Sequence, residues 1–271
     1  MDDGALIETR RLTKRYPMGE GEIVALQDVS LTFREGEFSG IVGPSGSGKT
    51  TLLNIMGSLD TPTEGTARVL GHQVESLPHG AAAELRSRHI GFIFQTFCLL
   101  QFYTVFENVE FPLLLLGMPA KERRRAVMGA LERVGLADRA GSKPHQLSGG
   151  QSQRVAISRA IVKDPKLVLA DEPTANLDAE NSHNIIQTME RLNRDLGTTF
   201  IFSTHDEKVI RYLSRTIRLE DGRVGGDTEG GVSEGRTAAG EANPGDSSEI
   251  GQPAGSGDAL GGPASDAEAT P

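Results

Sequence analysis

The sequence predicts an α/β fold: a mainly parallel sheet flanked by helices, with an N-terminal antiparallel β subdomain and an inserted helical subdomain. Three observations carry this. A glycine-rich loop, Gly43–Thr50, lies between an apolar run and an amphipathic one; two later apolar runs, Leu167–Ala170 and Thr199–Ser203, alternate with helical patterns; and between about Gln95 and Gln146 the texture becomes helical. Strands that alternate with helices build a sheet covered on both faces, which is why these runs are apolar throughout.

Taken in order, Ile23–Leu26 and Val29–Phe33 within residues 5–40 read as antiparallel strands separated by Gly/Glu turns. Phe38–Val42 is a short apolar strand, and Thr51–Leu59 is the helix that follows the loop. Residues 66–75 repeat the short-strand pattern, and Ile90–Phe94 is a buried strand ending at Gln95. The charged amphipathic run Lys121–Val134 is a helix stopped by Gly135, inside a helical subdomain of about 96–160. A helix over Gln153–Val162, a strand over Leu167–Ala170, a helix over Ala179–Leu196 and a strand over Thr199–Ser203 follow. The last strand lies near Thr216–Leu219, closed by the Asp221-Gly222 turn, so the domain spans 1–224. No internal repeat is visible.

The 271 residues carry a net charge of −9, and nine acidic residues against one arginine fall from Gly225 onward, among twelve glycines and no aromatic residue. Such a stretch cannot offset the entropy of ordering, so 225–271 is expected to be a disordered acidic tail. The body before it is nearly neutral and shows no basic field of the kind nucleic acid demands. A single cysteine, Cys98, rules out an internal disulfide and fits a reducing compartment. The first residues, Met1-Asp2-Asp3-Gly4, lack the basic and apolar regions of a signal peptide. The most apolar run, Pro112–Ala120, is far shorter than the roughly 20 residues that cross a bilayer. Work at a membrane would therefore need another protein as anchor.

Gly43-Pro44-Ser45-Gly46-Ser47-Gly48-Lys49-Thr50 has the spacing of a phosphate-cradling loop. Without Cβ atoms its amides can approach phosphate oxygens, and the loop delivers them to a helix N-terminus, which already favours negative charge. Lys49 would reach the β- and γ-phosphates, and the Thr50 hydroxyl would sit on magnesium. Leu167–Ala170 runs into Asp171 and Glu172, placing two carboxylates at the carboxyl edge of a parallel sheet. Asp171 would hold magnesium, and Glu172 would polarise the water that attacks the γ-phosphate. His205 ends the next strand on the same edge, suited to holding that water in line. Gln95, also at a strand end, offers an amide oxygen to magnesium.

These motifs, with Leu147-Ser148-Gly149-Gly150-Gln151 and Asn176-Leu177-Asp178, resemble in order and spacing the ATP-binding cassette (ABC) ATPases, over about residues 5–224. The resemblance implies a P-loop NTPase fold of ABC type and an ATPase coupled to transport, with ATP and Mg2+ as cofactors. It implies a homodimer in which each ATP lies between one copy's Gly43–Thr50, with Thr51, and the other copy's Ser148, Gly149, Gly150 and Gln151. Tyr16 matches the family's adenine-stacking position. Phe92–Leu100, Glu107–Pro112 and Leu169–Asp178 are similar to the lipoprotein-releasing and macrolide-exporter branch. That likeness implies an integral membrane permease as partner and a peripheral place on the cytoplasmic face of the bacterial inner membrane, with Phe97–Leu116 in the docking groove. The branch usually has a proline where Gln101-Phe102-Tyr103 stands, and Ser152, Ser158 and Ala175 replace its more usual Gln, Ala and Gly. A cell-division-type cassette that signals without transport carries the same motifs.

Overall fold

The computed structural model describes residues 4–19 and 21–229; residues 230–271, most of the expected acidic tail, lie outside the described residues. The chain runs β1 (Ala5–Met18), β2 (Gly21–Arg34), β3 (Phe38–Val42), α1 (Lys49–Met56), β4 (Glu64–Val69), β5 (His72–Gln73), α2 (His79–His89) and β6 (Ile90–Ile93). It continues through α3 (Val105–Leu115), α4 (Ala120–Arg133), α5 (Gly149–Ile161), β7 (Leu167–Asp171), α6 (Ala179–Leu196), β8 (Thr199–Thr204), the single turn α7 (Glu207–Ile210), β9 (Arg215–Glu220) and β10 (Arg223–Glu229).

Two sheets result. The first, in the order β2-β1-β4-β5, is antiparallel; the second runs β10-β9-β3-β8-β7-β6, parallel from β9 to β6 with β10 antiparallel at its edge. The register of the parallel strands decides where the site forms. Ile93 pairs with Ala170, Ala170 with Phe202, and Val42 with Thr204, so β6, β7, β8 and β3 all end at one level and the residues after them emerge on one edge.

One hydrophobic cluster lies between the antiparallel sheet, α1 and the parallel sheet; it includes Ile7, Phe33, Ile41, Leu52 and Ile201. A second lies beneath α3, α4, α5 and α6, around Val109, Leu131, Val155, Ile186 and Phe202. Phe38 packs edge-on against Phe202 with ring centroids 4.7 Å apart, locking β3 to β8 beneath the glycine loop.

Several boundaries differ from the expectation, each for a local reason. The helix after the glycine loop starts at Lys49, not Thr51, because Gly48 at φ 100° turns the chain directly into it; it stops at Met56, and Leu59 is exposed. Ile23–Leu26 and Val29–Phe33 belong to one long strand, β2, with Asp28 in the left-handed region at φ 55° where the register shifts. α5 begins at Gly149, not Gln153, since Ser148 caps it. The helix α2 has no counterpart in the sequence pattern: its buried residues are only Ala82 and Leu85, too few to print an amphipathic face. Thr216–Leu219 is not the last strand, and the fold does not stop at 224. β10 continues to Glu229, held to β9 by backbone pairing and by Asp227, whose carboxylate takes the Arg215 guanidinium at 2.7 and 2.8 Å.

Candidate functional site

The loop after β3 folds against β2. A Cβ at Gly48 would collide with the carbonyl of Ala25, and its backbone is left-handed, so glycine is required there twice over. α3, α5 and α6 each begin with a side chain that accepts from the first turn, Thr104, Ser148 and Asp178. α1, like α2 and α4, has no side-chain cap, but it alone starts at the glycine loop. Its first-turn amides, at the positive end of the helix dipole, are suited to an anion.

That end opens into a cavity of about 400 Å³ lined by the loop residues Ser45, Gly46, Gly48, Lys49, Thr50 and Thr51, by Ile23–Ala25 of β2, and by Gln95, Asp171, Glu172 and His205. Gly43, Pro44 and Ser47 stand behind this lining. Ser47 is buried, and a Cβ at Gly43 would run into the backbone of Leu219. Lys49 is itself buried; its Nζ donates to the carbonyls of Gly43 at 2.8 Å and Pro44 at 2.9 Å and lies 3.8 Å from Glu172 Oε1.

The carboxylates take separate stations. Asp171, the last residue of β7, accepts from the Thr50 hydroxyl at 3.0 and 3.1 Å and from the buried Ser203 hydroxyl on β8. Glu172 follows at φ 46° with its N–H donating to the Ser203 carbonyl at 3.0 Å, and this kink turns its side chain away from Asp171. Glu172 Oε1 lies 2.8 Å from His205 Nδ1, joining a side chain 15% exposed to one 64% exposed. The Gln95 carbonyl accepts from Asn176 Nδ2 at 2.8 Å, which ties the end of β6 to the segment after β7. The Thr50 hydroxyl, the Asp171 carboxylate and the Gln95 amide are hard oxygen donors facing one space, a set that suits Mg2+.

Tyr16 does not line the cavity, but it pairs in register with Ile23, which does. Its hydroxyl donates to Asp60 Oδ2 at 2.7 Å, while Lys14 Nζ donates to Asp60 Oδ1 at 2.6 Å and stands 4.8 Å from the Tyr16 ring centroid. Burial, then the bond to Asp60, pushes the Tyr16 phenol above its ordinary pKa. Burial would raise the Asp60 carboxyl too, but hydrogen bonds from Lys14, Tyr16 and the Thr61 amide outweigh it and hold it low. Asp60, Ser203 and Asn176 as the anchor of Gln95 were not legible beforehand. Asp60 lies 44 residues from Tyr16 and 46 from Lys14, and only the tertiary fold brings them together.

Ser148–Gln151 do not line the cavity. Ser148 Oγ accepts from the Gln151 amide at 3.3 Å and the Gln151 side chain accepts from the Ser148 amide at 2.9 Å. Ser148 and Gly149 are exposed, whereas Gly150 is buried where a Cβ would approach Asn181 Oδ1 to 2.5 Å. The chain thus presents a second helix N-terminus outward, apart from its own glycine loop.

A glycine loop leading from a parallel strand into an uncapped helix, beside a strand that ends in paired carboxylates, defines a P-loop nucleotide-binding protein. The family model for ABC transporters matches residues 26–175, and the chain belongs to that family. It is 48% identical over 223 residues to the lipoprotein-releasing system ATP-binding protein LolD of Geobacter metallireducens, covering 82% of this chain and 99% of that protein. It is 45% identical over 234 residues to the macrolide export ATP-binding/permease protein MacB of Burkholderia thailandensis, covering 86% of this chain but only 36% of that longer protein. Among solved structures, the dimeric post-hydrolysis state of the ATP-binding cassette MJ0796 bound to ADP and Pi superposes with a TM-score of 0.76 at 43% identity, over 82% of this chain and 98% of that one. The chain is accordingly an ABC ATPase and an ATP-binding subunit of a transporter, with the ABC-type P-loop fold expected from its motifs.

Proposed function

We propose that this subunit closes head to tail on a second copy around two ATP molecules and drives a membrane permease of the lipoprotein-release or macrolide-export type. The observation that carries the reading is that one sheet edge holds the uncapped end of α1, Lys49, Asp171, Glu172 and His205 around one cavity, while the N-terminus at Ser148 faces outward.

In this reading the phosphates rest on the loop amides, and Lys49 exchanges the carbonyls of Gly43 and Pro44 for phosphate oxygens. Thr50, Asp171 and Gln95 would hold Mg2+, which when bound neutralises charge on the phosphates. Glu172 takes the proton of the attacking water, and His205, bonded to Glu172, orients the two. The Tyr16 ring, fixed by Asp60, stacks on adenine, a contact worth on the order of 1–3 kcal/mol. A phosphate seated in the first copy completes its ligation on Ser148, Gly149, Gly150 and Gln151 of the second.

The permease contact falls to a groove beside β6, which includes residues of the expected docking segment Phe97–Leu116. Phe94 lines the groove and Gln95, the next residue, lines the nucleotide cavity, so movement at one reaches the other. Among the described residues no helix is long and apolar enough to cross a membrane. In this reading the permease holds the subunit peripherally on the cytoplasmic face of the inner membrane. The test is the mass of the Glu172→Gln protein with ATP and Mg2+ by light scattering. A dimer that forms with ATP, not with ADP, and is lost in Glu172→Gln/Ser148→Arg is expected. A monomer under all conditions refutes the head-to-tail closure.

A further inference from the structure

We infer that Ser203 is a positioning residue for the metal: its buried hydroxyl fixes one oxygen of Asp171 and so sets how tightly the site holds Mg2+ beside a nucleotide. This rests on the reading above that Thr50, Asp171 and Gln95 hold Mg2+, and it places a determinant of that affinity outside those three side chains.

Ser203 is the fifth residue of β8, Thr199-Phe200-Ile201-Phe202-Ser203-Thr204, a strand buried throughout. Packing alone is served there by apolar side chains, as at Phe200, Ile201 and Phe202. A hydroxyl that is 0% exposed costs stability unless it is hydrogen-bonded. Strand register supplies the partner. Ser203 stands opposite Asp171 of β7 on one side and Ile41 of β3 on the other, and paired residues project from the same face of a sheet. The Ile41 side chain offers no acceptor, so the hydroxyl donates to Asp171 Oδ1.

That bond divides the carboxylate. Oδ1 is held from behind by Ser203, which does not line the cavity, while Oδ2 meets the hydroxyl of Thr50, which does. Without Ser203 nothing on β8 selects between the two oxygens. Thr50 Oγ1 lies 3.1 Å from Oδ1 and 3.0 Å from Oδ2, and the terminal torsion of an aspartate is soft. A group that holds a ligand from behind orients it and tunes the metal it binds.

Ser203 serves Glu172 through a different atom. Its carbonyl accepts from the Glu172 amide at 3.0 Å, and Glu172 Oε1 lies 2.8 Å from His205 Nδ1, two residues further along the chain. The side chain of Ser203 thus holds Asp171, and its main chain holds Glu172. Removing the hydroxyl disturbs the metal ligand and leaves the Glu172 amide bonded as before.

This separation defines the test. Ser203→Ala, Ser203→Val and Ser203→Thr are made in the full chain; valine and threonine share one shape and differ in the hydroxyl. Mn2+ binding in the presence of ADP is followed by the electron paramagnetic resonance signal of the free ion, and hydrolysis is followed against free Mg2+. Ser203→Ala and Ser203→Val should each weaken Mn2+ binding by about tenfold and raise the half-saturating Mg2+ by a similar factor. Ser203→Thr should keep both constants near those of wild type. The plateau rate at saturating Mg2+ should be largely retained in all three, as should ADP affinity in EDTA, which reads the fold and the glycine loop without metal. Should threonine and valine overpack β8, ADP affinity in EDTA falls with them, and Ser203→Ala, which adds no atom, decides by itself. Metal constants unchanged in Ser203→Ala overturn the proposal. A fall in the plateau rate alone overturns it too, and makes Ser203 a packing residue of the sheet. Asp171→Asn tests the reading beneath: a Mn2+ constant equal to that of wild type removes Asp171 from the metal, whatever Ser203→Ala does.

Discussion

Glu172 and Asp171 are neighbours in sequence and meet different partners because the backbone turns between them. Asp171 finishes a strand and faces Thr50; Glu172, at φ 46°, swings to His205. Glu172→Gln keeps the shape and, in the proposed reading, removes the proton acceptor. Its turnover should fall roughly 10²–10⁴-fold with ATP affinity retained, as single-turnover assays and equilibrium binding would measure. Asp60 offers a subtler case, since among the described residues its carboxylate is hydrogen-bonded to Tyr16, Lys14 and the Thr61 amide and does not line the nucleotide cavity. Asp60→Asn should weaken ATP binding by about three- to tenfold while leaving inorganic triphosphate binding unchanged, if the ring it fixes serves the base; calorimetry with both ligands separates these. Lys163 gives a pH signature. Its pKa, brought down by burial to about 8, lies below the ~10.4 of an unfolded lysine, so between those values the unfolded chain holds a proton that the folded chain lacks. Its contribution to stability therefore rises with pH across that window. Urea midpoints of wild type and Lys163→Met, compared at both ends of the window, should show this rise in the wild type only.

At the scale of elements, the strands that build the site were readable because each apolar run ends abruptly in a polar residue, as Leu167–Ala170 does at Asp171. Residues that act through tertiary contact were not, as Ser203 beneath Asp171 illustrates. α2 escaped because Ala82 and Leu85 alone face the core, and β10 because Gly225-Gly226-Asp227 has the composition of a linker. Beyond Val224, which packs on the core, β10 is ordered by backbone pairing, the Arg215–Asp227 ion pair and the Thr216–Thr228 hydroxyl contact, none of which leaves a hydrophobic trace. Start signals are plainer, yet the glycines after Ser148 disguise a capped helix, so the apolar pattern of α5 begins only at Gln153, four residues after the helix starts. In α3 the cap is reciprocal, with Thr104 Oγ1 accepting from the Glu107 amide at 3.2 Å and Glu107 accepting from the Thr104 amide at 2.7 Å. Thr104→Ala should cost about 1 kcal/mol in denaturant unfolding.

For the whole molecule, the most telling boundary is the carboxyl end of the fold. A chain ended at Val224 loses β10 and strips Asp227 from Arg215, which would still hold Glu37 at 3.2 Å, part-buried and missing its larger partner. The Arg215 hydrogen bonds hold the Asp227 carboxyl below its ordinary pKa, so this support is present near neutrality and fades only as acid titrates the carboxylate. A chain ended at Val224 should therefore melt several degrees below one ended at Glu229 at pH 7, and the gap should narrow in acid, as differential scanning calorimetry would record.

One peptide link separates Phe94, which lines the apolar groove, from Gln95, which lines the cavity at the glycine loop. A linkage that short has almost no backlash: it cannot store a displacement or delay it. Whatever pushes on the aromatic ring is felt by the amide within the same local rearrangement, and a single glycine spliced between the two would act as a clutch, leaving an engine that idles without turning the wheels.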